Sequence, residues 1–238
     1  ALYGLQLALP QLWQLGAPAL LLDALVVSSV LVLGLWLGRR LGLSRDTALL
    51  VACGSAICGA AAILADDRVL RPQHSSAVAV ALGTVLLFGT LALLIYPPWL
   101  LWLELPSRSA GIYLGATVHE VAQVVAAGNA LGPQIAEIAV VTKLTRVLFL
   151  LPVLLLLSAR QSERGRLPLP LFVLGFIACS AIGSSALLPT TLMHGLQQLD
   201  QLLLATAMAA LGMNTRIAQL RSAGWRPLLL AAGLFVWL

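Results

Sequence analysis

The chain has 238 residues, of which 60% are hydrophobic and only 10% are charged, and its mean hydropathy is +0.98. Soluble domains carry about 45–50% apolar and about 25% charged residues, so this composition excludes a soluble globular domain. The net charge of +5 comes from basic residues clustered in short loops between apolar runs. That pattern is typical of cytoplasmic loops in membrane proteins and argues against nucleic-acid binding.

Apolar runs separated by polar or Pro/Gly clusters predict an all-α, polytopic helix bundle that forms a single membrane domain over 1–238. Crossing a bilayer takes roughly 20 mostly apolar residues per helix, which leaves room for about nine segments. The predicted segments are 1–14, 18–38, 48–65, 77–96, 111–128, 136–158, 169–187, 195–214 and 226–238. The first and last are short, so we expect a chain cut at both ends.

Basic residues predict the orientation of the bundle. Arg39, Arg40 and Arg45 follow the second segment, and further arginines follow the sixth and eighth. If these loops are cytoplasmic, strict alternation places the loops near 15–17, 66–76, 129–135 and 188–194 outside. The Trp-rich stretch 97–104 is then predicted to be a turn at the cytoplasmic surface.

An internal similarity links residues 4–22 to residues 212–230. The connection within the first stretch is uncharged and that within the second is basic, so the two stretches are predicted on opposite sides of the membrane. Such an inverted repeat is the architecture of many secondary transporters. A chance match between two Leu- and Gly-rich stretches is the alternative.

Polar side chains inside the apolar runs concentrate in two neighbouring segments. His119, Glu120 and Gln123 are predicted to form one polar stripe on helix 111–128, and Lys143 and Arg146 share a face of the next helix. A Lys or Arg at the bilayer centre costs about 2.5–3.5 kcal/mol and normally faces a bundle interior or a cavity. The basic pair would attract an anion and His119 and Glu120 would exchange protons. The alternative is a structural ion pair of Glu120 with Lys143 or Arg146.

The segment CGSAICGAAAI (53–63) is rich in small residues and includes Ser55 and Cys58. It is either a tightly packed helix crossing or a broken helix whose free N–H groups face an anion. The string HEVAQ (119–123) lacks the second His of a zinc-protease motif, because Gln123 stands in its place. No metal site, cofactor or catalytic residue is predicted, and the chain is not expected to be an enzyme.

Four strings together resemble the YeiH-like sulfate exporter family of bacterial inner-membrane proteins. They are GSAICGAAAILA, GIYLGATVHEVAQVVAAG, KLTRVLFLLPV and LLLATAMAALGMNTRIAQLRSAGWRPLLLA, in that order along the chain. The family is grouped with bile acid:sodium symporters and sodium/proton antiporters, and this resemblance implies inverted repeats with crossed, broken helices. By that analogy, 54–65 and 115–126 would cross near the substrate site. Strict alternation runs these two segments in the same direction, so either one of them is re-entrant or the pairing is wrong.

The expected function is secondary transport of a small anion, such as sulfate or an organosulfonate, coupled to H⁺ or Na⁺. The substrate or ion site would comprise Ser55, Cys58, His119, Glu120, Gln123, Lys143 and Arg146. The expected partners are the lipid bilayer of the bacterial inner membrane, the anion and the coupling ion, with a homo-oligomer as an option and no nucleic acid. The alternative is a structural or sensory membrane protein that transports nothing.

Overall fold

The computed structural model describes Leu5 and residues 9–70, 75–160, 171–185, 188–214 and 224–238. Within these ranges the chain is an all-α bundle, as predicted. Its helices are α1 (Leu9–Arg40), α2 (Arg45–Ala56), α3 (Ala60–Leu70), α4 (Ser75–Trp102), α5 (Ser107–Thr117), α6 (Val121–Leu131), α7 (Pro133–Leu148), α8 (Leu150–Arg160), α9 (Leu171–Ser184), α10 (Thr190–Asn214) and α11 (Trp225–Trp237).

Three stretches of the described chain are long and apolar enough to cross a membrane: Leu20–Arg40, Ala77–Trp102 and Pro133–Leu157. Large apolar side chains such as Leu25 and Leu94 are about two-thirds exposed on these helices. Many other large apolar side chains of the bundle are exposed as well, and lipid tails cover such an extensive apolar surface in a bilayer. The molecule is therefore a helical membrane bundle in contact with lipid.

The start of the chain differs from the sequence prediction. α1 is continuous across 15–17, where a loop was expected between the first two segments, so that prediction is wrong. Gly and Pro are tolerated inside transmembrane helices, which explains why Gly16 and Pro18 do not end α1. The similarity of 4–22 to 212–230 lies partly outside the described residues, at 4, 6–8 and 215–223. Its described part, 16–22 in α1 and 224–230 at the start of α11, lies on antiparallel helices, because Gly34 contacts Leu234 and Gly38 is near Leu230.

Small residues bring α1 close to α2. Gly34 and Gly38 face the side chains of Ala52 and Ala48, and a Cβ atom at either glycine would collide with its partner. This small-xxx-small spacing is typical of close contacts between membrane helices. The order of these contacts shows that α2 runs antiparallel to α1, as the short connection between the two helices requires.

α2 and α3 form a helical hairpin (45–70) that folds back on itself at residues 57–59. Each arm has only 11 or 12 residues, about 16–18 Å, which is half of the hydrocarbon thickness. The reversal is visible in the contacts, because Gly54 on α2 lies against Ile63 on α3 and Cys53 neighbours Asp66. Gly59 has a φ of +67°, which is the left-handed conformation that the turn needs. We call this segment the first hairpin.

α5 and α6 form a second hairpin (107–131), with its turn at residues 118–120. α5 runs parallel to α7, since Gly111 lies against Ile138 and Gly115 against Thr142. α6 runs antiparallel to α7, because Gly132 alone connects them and Gly128 packs on Ala136. Two arms that run in opposite directions along one helix must reverse between them. We call this segment the second hairpin.

The two hairpins change the predicted topology. Each returns to the side it came from, so the first enters from the end of α1 and the second from the end of α4. The ends of α1, α3 and α8 and the starts of α4 and α11 then share one side of the bundle, and Arg226 lies beside Gly42 there. That side holds Arg39, Arg40 and Arg45 and is the cytoplasmic side by the positive-inside rule.

Strict alternation is therefore wrong for two loops. Asp66 lies in α3 and the end of this helix faces the basic side, whereas the stretch 66–76 was predicted outside. The stretch 97–104 lies at the opposite end from the basic side, and α4 continues through Pro97 and Pro98 to Trp102. The conflict over the direction of 54–65 and 115–126 is also resolved, because both segments are re-entrant and enter from opposite sides.

Candidate functional site

The turns of the two hairpins meet inside the bundle. The backbone N–H of Ala60, at the start of α3, donates a hydrogen bond of 2.7 Å to Glu120 Oε1 in the turn of the second hairpin. Gly59 lies so close that a Cβ atom would overlap the Glu120 carboxyl group. We call residues 56–60 and 116–120 together the tip junction.

Two basic side chains of α7 bind the carboxyl ends of α2 and α5, the first arms of the two hairpins. Lys143 Nζ donates to Val118 O at 2.6 Å, and Arg146 donates from Nη1 to Ala116 O and from Nη2 to Ala56 O. The last carbonyls of a helix have no partner within it and carry partial negative charge. Lys143 and Arg146 therefore neutralise the ends of α2 and α5 deep in the bundle.

Glu120 binds the amino ends of α3 and α6, the second arms of the two hairpins. Its carboxylate accepts from the first N–H of α3 and also from the N–H of Gln123 in a capping box that opens α6. The Gln123 side chain completes the box by accepting from the Glu120 N–H at 3.2 Å. A carboxylate is favourable at a helix N-terminus, and this one serves two.

α4 passes the tip junction at its middle. Val85 packs on Gly54 near the first turn, and Gly89 lies against the Gln123 amide. A side chain at position 89 would displace that amide and with it the cap of α6. The glycine thus allows α4 to approach both hairpins.

The buried charges do not form the direct ion pair considered as the structural alternative. Within the described chain, the hydrogen-bond partners of Lys143 and Arg146 are backbone carbonyls, and those of Glu120 are backbone N–H groups. Burying a charge without partners is costly, and here helix ends supply the partners. The four half-helices and the charged side chains therefore stabilise one another as a set.

Asp23 is a buried charge that the sequence analysis did not select. It lies on α1, is fully buried, accepts a hydrogen bond from Thr145 Oγ1 and lies within electrostatic range of Lys143 and Arg146. With Asp23 and Glu120 opposite Lys143 and Arg146, the acids and bases around the tip junction balance two against two. An Asp inside the apolar run 18–38 was the signal available, because ionisable residues within membrane segments are rare and usually functional.

Several polar atoms in or beside the tip junction remain without hydrogen-bond partners. They are His119 Nδ1, Gln123 Nε2, Thr142 Oγ1 and Arg146 Nε. Gln Nε2 and Arg Nε are donors only, and the other two atoms can donate. Buried polar groups are normally satisfied, so a set of free donors beside two cations fits a ligand with acceptor oxygens.

The structure brings the seven predicted residues to one region. Ser55 and Cys58 are buried at the first turn, His119 and Glu120 form the second turn, and Gln123 opens α6, while Lys143 and Arg146 face both turns from α7. One detail of the prediction is wrong. His119, Glu120 and Gln123 are not a stripe on a continuous helix, because the chain is extended at Val118 and Glu120.

An aromatic cluster connects the tip junction with the side opposite the basic loops. Trp99 and Tyr113 are 5.7 Å apart, Tyr113 and Tyr96 are 5.3 Å apart, and Tyr96 stacks on Phe235 at 5.7 Å between ring centroids. Phe235 in turn stacks on His119 at 6.4 Å. The His119 ring is thus held by an aromatic neighbour and not by a hydrogen bond at Nδ1. In the described ranges, no group of three or more His, Cys, Asp and Glu side chains is arranged to hold a metal ion.

Comparison with known proteins gives a family. The model of the family described as conserved hypothetical protein 698 matches residues 1–231. A UPF0324 membrane protein of Yersinia pestis is 45% identical over all of this chain and 70% of its own length. The UPF0324 inner membrane protein YeiH of Escherichia coli is 42% identical over all of this chain and 71% of its own length. A UPF0324 membrane protein of Pseudomonas aeruginosa is 44% identical over all of this chain and 71% of its own length. No solved structure matches the chain significantly.

Proposed function

Because the chain belongs to the conserved hypothetical protein 698 family of multi-pass inner-membrane proteins, we propose that it forms the core of a secondary transporter for a small anion, coupled to H⁺ or Na⁺. Sulfate and organosulfonates are the first candidates, following the resemblance of the sequence. The substrate would bind at the tip junction, between the two hairpins.

The observation that supports this proposal most is the meeting of two re-entrant hairpins from opposite sides. Irregular backbone at membrane depth is tolerated where it is buried in protein or lines a cavity, and transporters use broken helices in this way at their substrate sites. The free donors of Gln123 and Arg146, together with the charge of Lys143, favour an anion over a cation.

The arrangement also suggests how access could alternate. The first hairpin separates the tip junction from the basic side, and the second separates it from the opposite side. Movement of one hairpin would open the site to one side while the other stays closed. Arg146 donates a hydrogen bond to a carbonyl of each hairpin. An anion that binds its free Nε would therefore affect the contacts of both hairpins.

A second candidate is a membrane protein that transports nothing. It is favoured by the capping of the helix ends, because Lys143, Arg146 and Glu120 already have backbone partners without any ligand. In this case the charges serve folding alone.

Flux of labelled sulfate into proteoliposomes tests the proposal. We expect His119→Gln and Thr142→Val to reduce flux by about tenfold or more, equivalent to about 1.4 kcal/mol, because the first replaces the imidazole with its free Nδ1 and the second removes a free hydroxyl, each with little change in side-chain size. His194→Gln is the matched control, since His194 is exposed on α10. Thermal unfolding of the same variants shows whether the fold is intact.

A panel of inorganic and organic anions in a thermal-shift assay identifies the substrate. A ligand that binds the folded state raises its apparent stability, and the rise should shrink in His119→Gln. Wild-type protein that neither transports nor is stabilised by any anion of the panel would support the non-transporting alternative.

A further inference from the structure

Asp66 is a buried acid that the proposed anion site does not use. It lies on α3, on the same face as Ala62 and Ile63, and all three side chains are fully buried. Its position is about two turns from the tip junction, on the arm whose first N–H is held by Glu120. Leu64 and Asp67 lie on other faces of α3 and are at least partly exposed.

Asp66 differs from the other buried acids in its hydrogen bonds. Both of its carboxylate oxygens lack a partner, whereas Glu120 has N–H donors, Asp23 has Thr145 and nearby cations, and Asp200 has a single unpartnered oxygen. Among the described residues, Asp66 is thus the buried carboxylate that neither an N–H nor an O–H donor reaches. A buried carboxylate without strong donors or cations is so unfavourable in its charged form that such a group takes up a proton instead.

No counter-charge acts on Asp66 from the side chains that the structure describes. α2 contributes the thiol of Cys53, a weak and uncharged donor that neighbours the Asp66 carboxyl group. Tyr96 is the titratable residue of α4 and lies in the aromatic cluster, and α8 carries Arg160 at its far end.

We propose that Asp66 is the coupling site of the transporter and that its ligand is a proton. This inference rests on the proposed function and names the residue that carries the coupling ion, in place of His119 and Glu120. A sodium ion would need several oxygen ligands, and the face around Asp66 offers Ala62, Ile63 and a thiol. A proton needs one oxygen.

The chemistry is a single protonation. In the packed state one proton is bound to a carboxylate oxygen and the side chain is neutral. Loss of that proton to water leaves a carboxylate, which cannot remain between α2 and α3 and requires α3 to move toward water. The N-terminus of α3 moves with it, so proton release at Asp66 loosens the Ala60–Glu120 contact at the tip junction.

Infrared spectroscopy of the purified protein in lipid tests the protonation without any need for transport. We expect a carboxylic-acid C=O band at neutral pH that disappears in Asp66→Asn and persists in Asp67→Asn, the matched control one residue along. The band should be the same in sodium and in potassium buffers. A spectrum in which Asp66→Asn removes no such band, or in which sodium removes it, would overturn the proton site.

Flux measurements test the coupling separately. Asp66→Asn should retain exchange of labelled anion between equal pools but lose the acceleration by a pH gradient, reducing the driven rate about tenfold or more toward the undriven rate. Full acceleration in Asp66→Asn would overturn the role in coupling even if the band is present. If the wild type transports no anion while the infrared band behaves as expected, the proposed function fails and the proton site stands.

Discussion

Glu120 shows how one side chain can serve two helices. Its carboxylate accepts from Ala60 on the first hairpin and caps α6 on the second, and Gly59 leaves the space for it. Its charge attracts the N–H groups at two helix starts, and its carboxyl group fits against Gly59. The contact therefore depends as much on the glycine as on the acid.

Substitution of Gly59 by Ala should destabilise the protein. The left-handed backbone alone costs a non-glycine residue about 1–2 kcal/mol, and the new Cβ atom would also push the Glu120 carboxyl group away from Ala60. Thermal unfolding in detergent should show a lower Tm. Gly195→Ala on α10 is the control and should be neutral or stabilising, because nothing lies within 4 Å of the added atom.

The placement of two buried basic residues could be predicted from the sequence. Lys143 and Arg146 were selected because charges inside apolar runs are costly, and their spacing correctly placed both on one face of α7. Asp66 was missed because it stands beside Asp67, Arg68 and Arg71, where it resembles a residue of a polar loop. Whether α3 ends before or after Asp66 depends on its packing against α2 and α8, which the sequence alone does not reveal.

The helical hairpins are where the sequence prediction failed. α2 and α3 have 12 and 11 residues, so the two arms together are as long as one complete crossing. Hydropathy therefore gives the same signal for a hairpin that returns as for a helix that spans. The small residues around 54–61 allow both interpretations, and the contacts of Gly54 with Ile63 and of Cys53 with Asp66 distinguish them.

Arg146→Met should destabilise both hairpins together. It removes the donors to Ala56 O and Ala116 O, and each carbonyl left buried without a donor costs about 1–3 kcal/mol. Chemical or thermal unfolding of the purified variant measures the loss. Arg40→Met, which removes an exposed arginine stacked on Trp36, should change stability little. Equal losses in the two variants would contradict the capping role of Arg146.

At the scale of the whole molecule, the hairpins decide which ends of the bundle share a side. The sequence correctly predicted an all-α bundle in a membrane and the common side of the basic ends near Gly42 and Arg226. It placed 97–104 on that side as well, because each apolar run was counted as one crossing. The first hairpin turns back to the side from which it enters, so the stretch 97–104 lies on the side opposite the basic residues.

Cysteine accessibility measures this difference directly. In a variant without the three native cysteines, Ser44→Cys should react with an impermeant thiol reagent from the cytoplasmic side and Leu105→Cys from the other side. Both positions are exposed in turns, before α2 and before α5. Strict alternation predicts the same side for both, so labelling of the two from one side would exclude the re-entrant topology.

The burial of the tip junction also matters for the energy supply of the cell. Two half-length hairpins take the place of full crossings there, so the barrier to ions at the bilayer midplane consists of turns packed against each other and of one arginine that contacts both. If both turns separated at once, water would connect the two compartments and the proton gradient would be dissipated. Cells that express Arg146→Met should therefore lose membrane potential and grow slowly in proportion to its expression level, whereas cells that express Arg40→Met should not. An intact Arg146 therefore helps to keep the bundle impermeable to ions where the two hairpins meet.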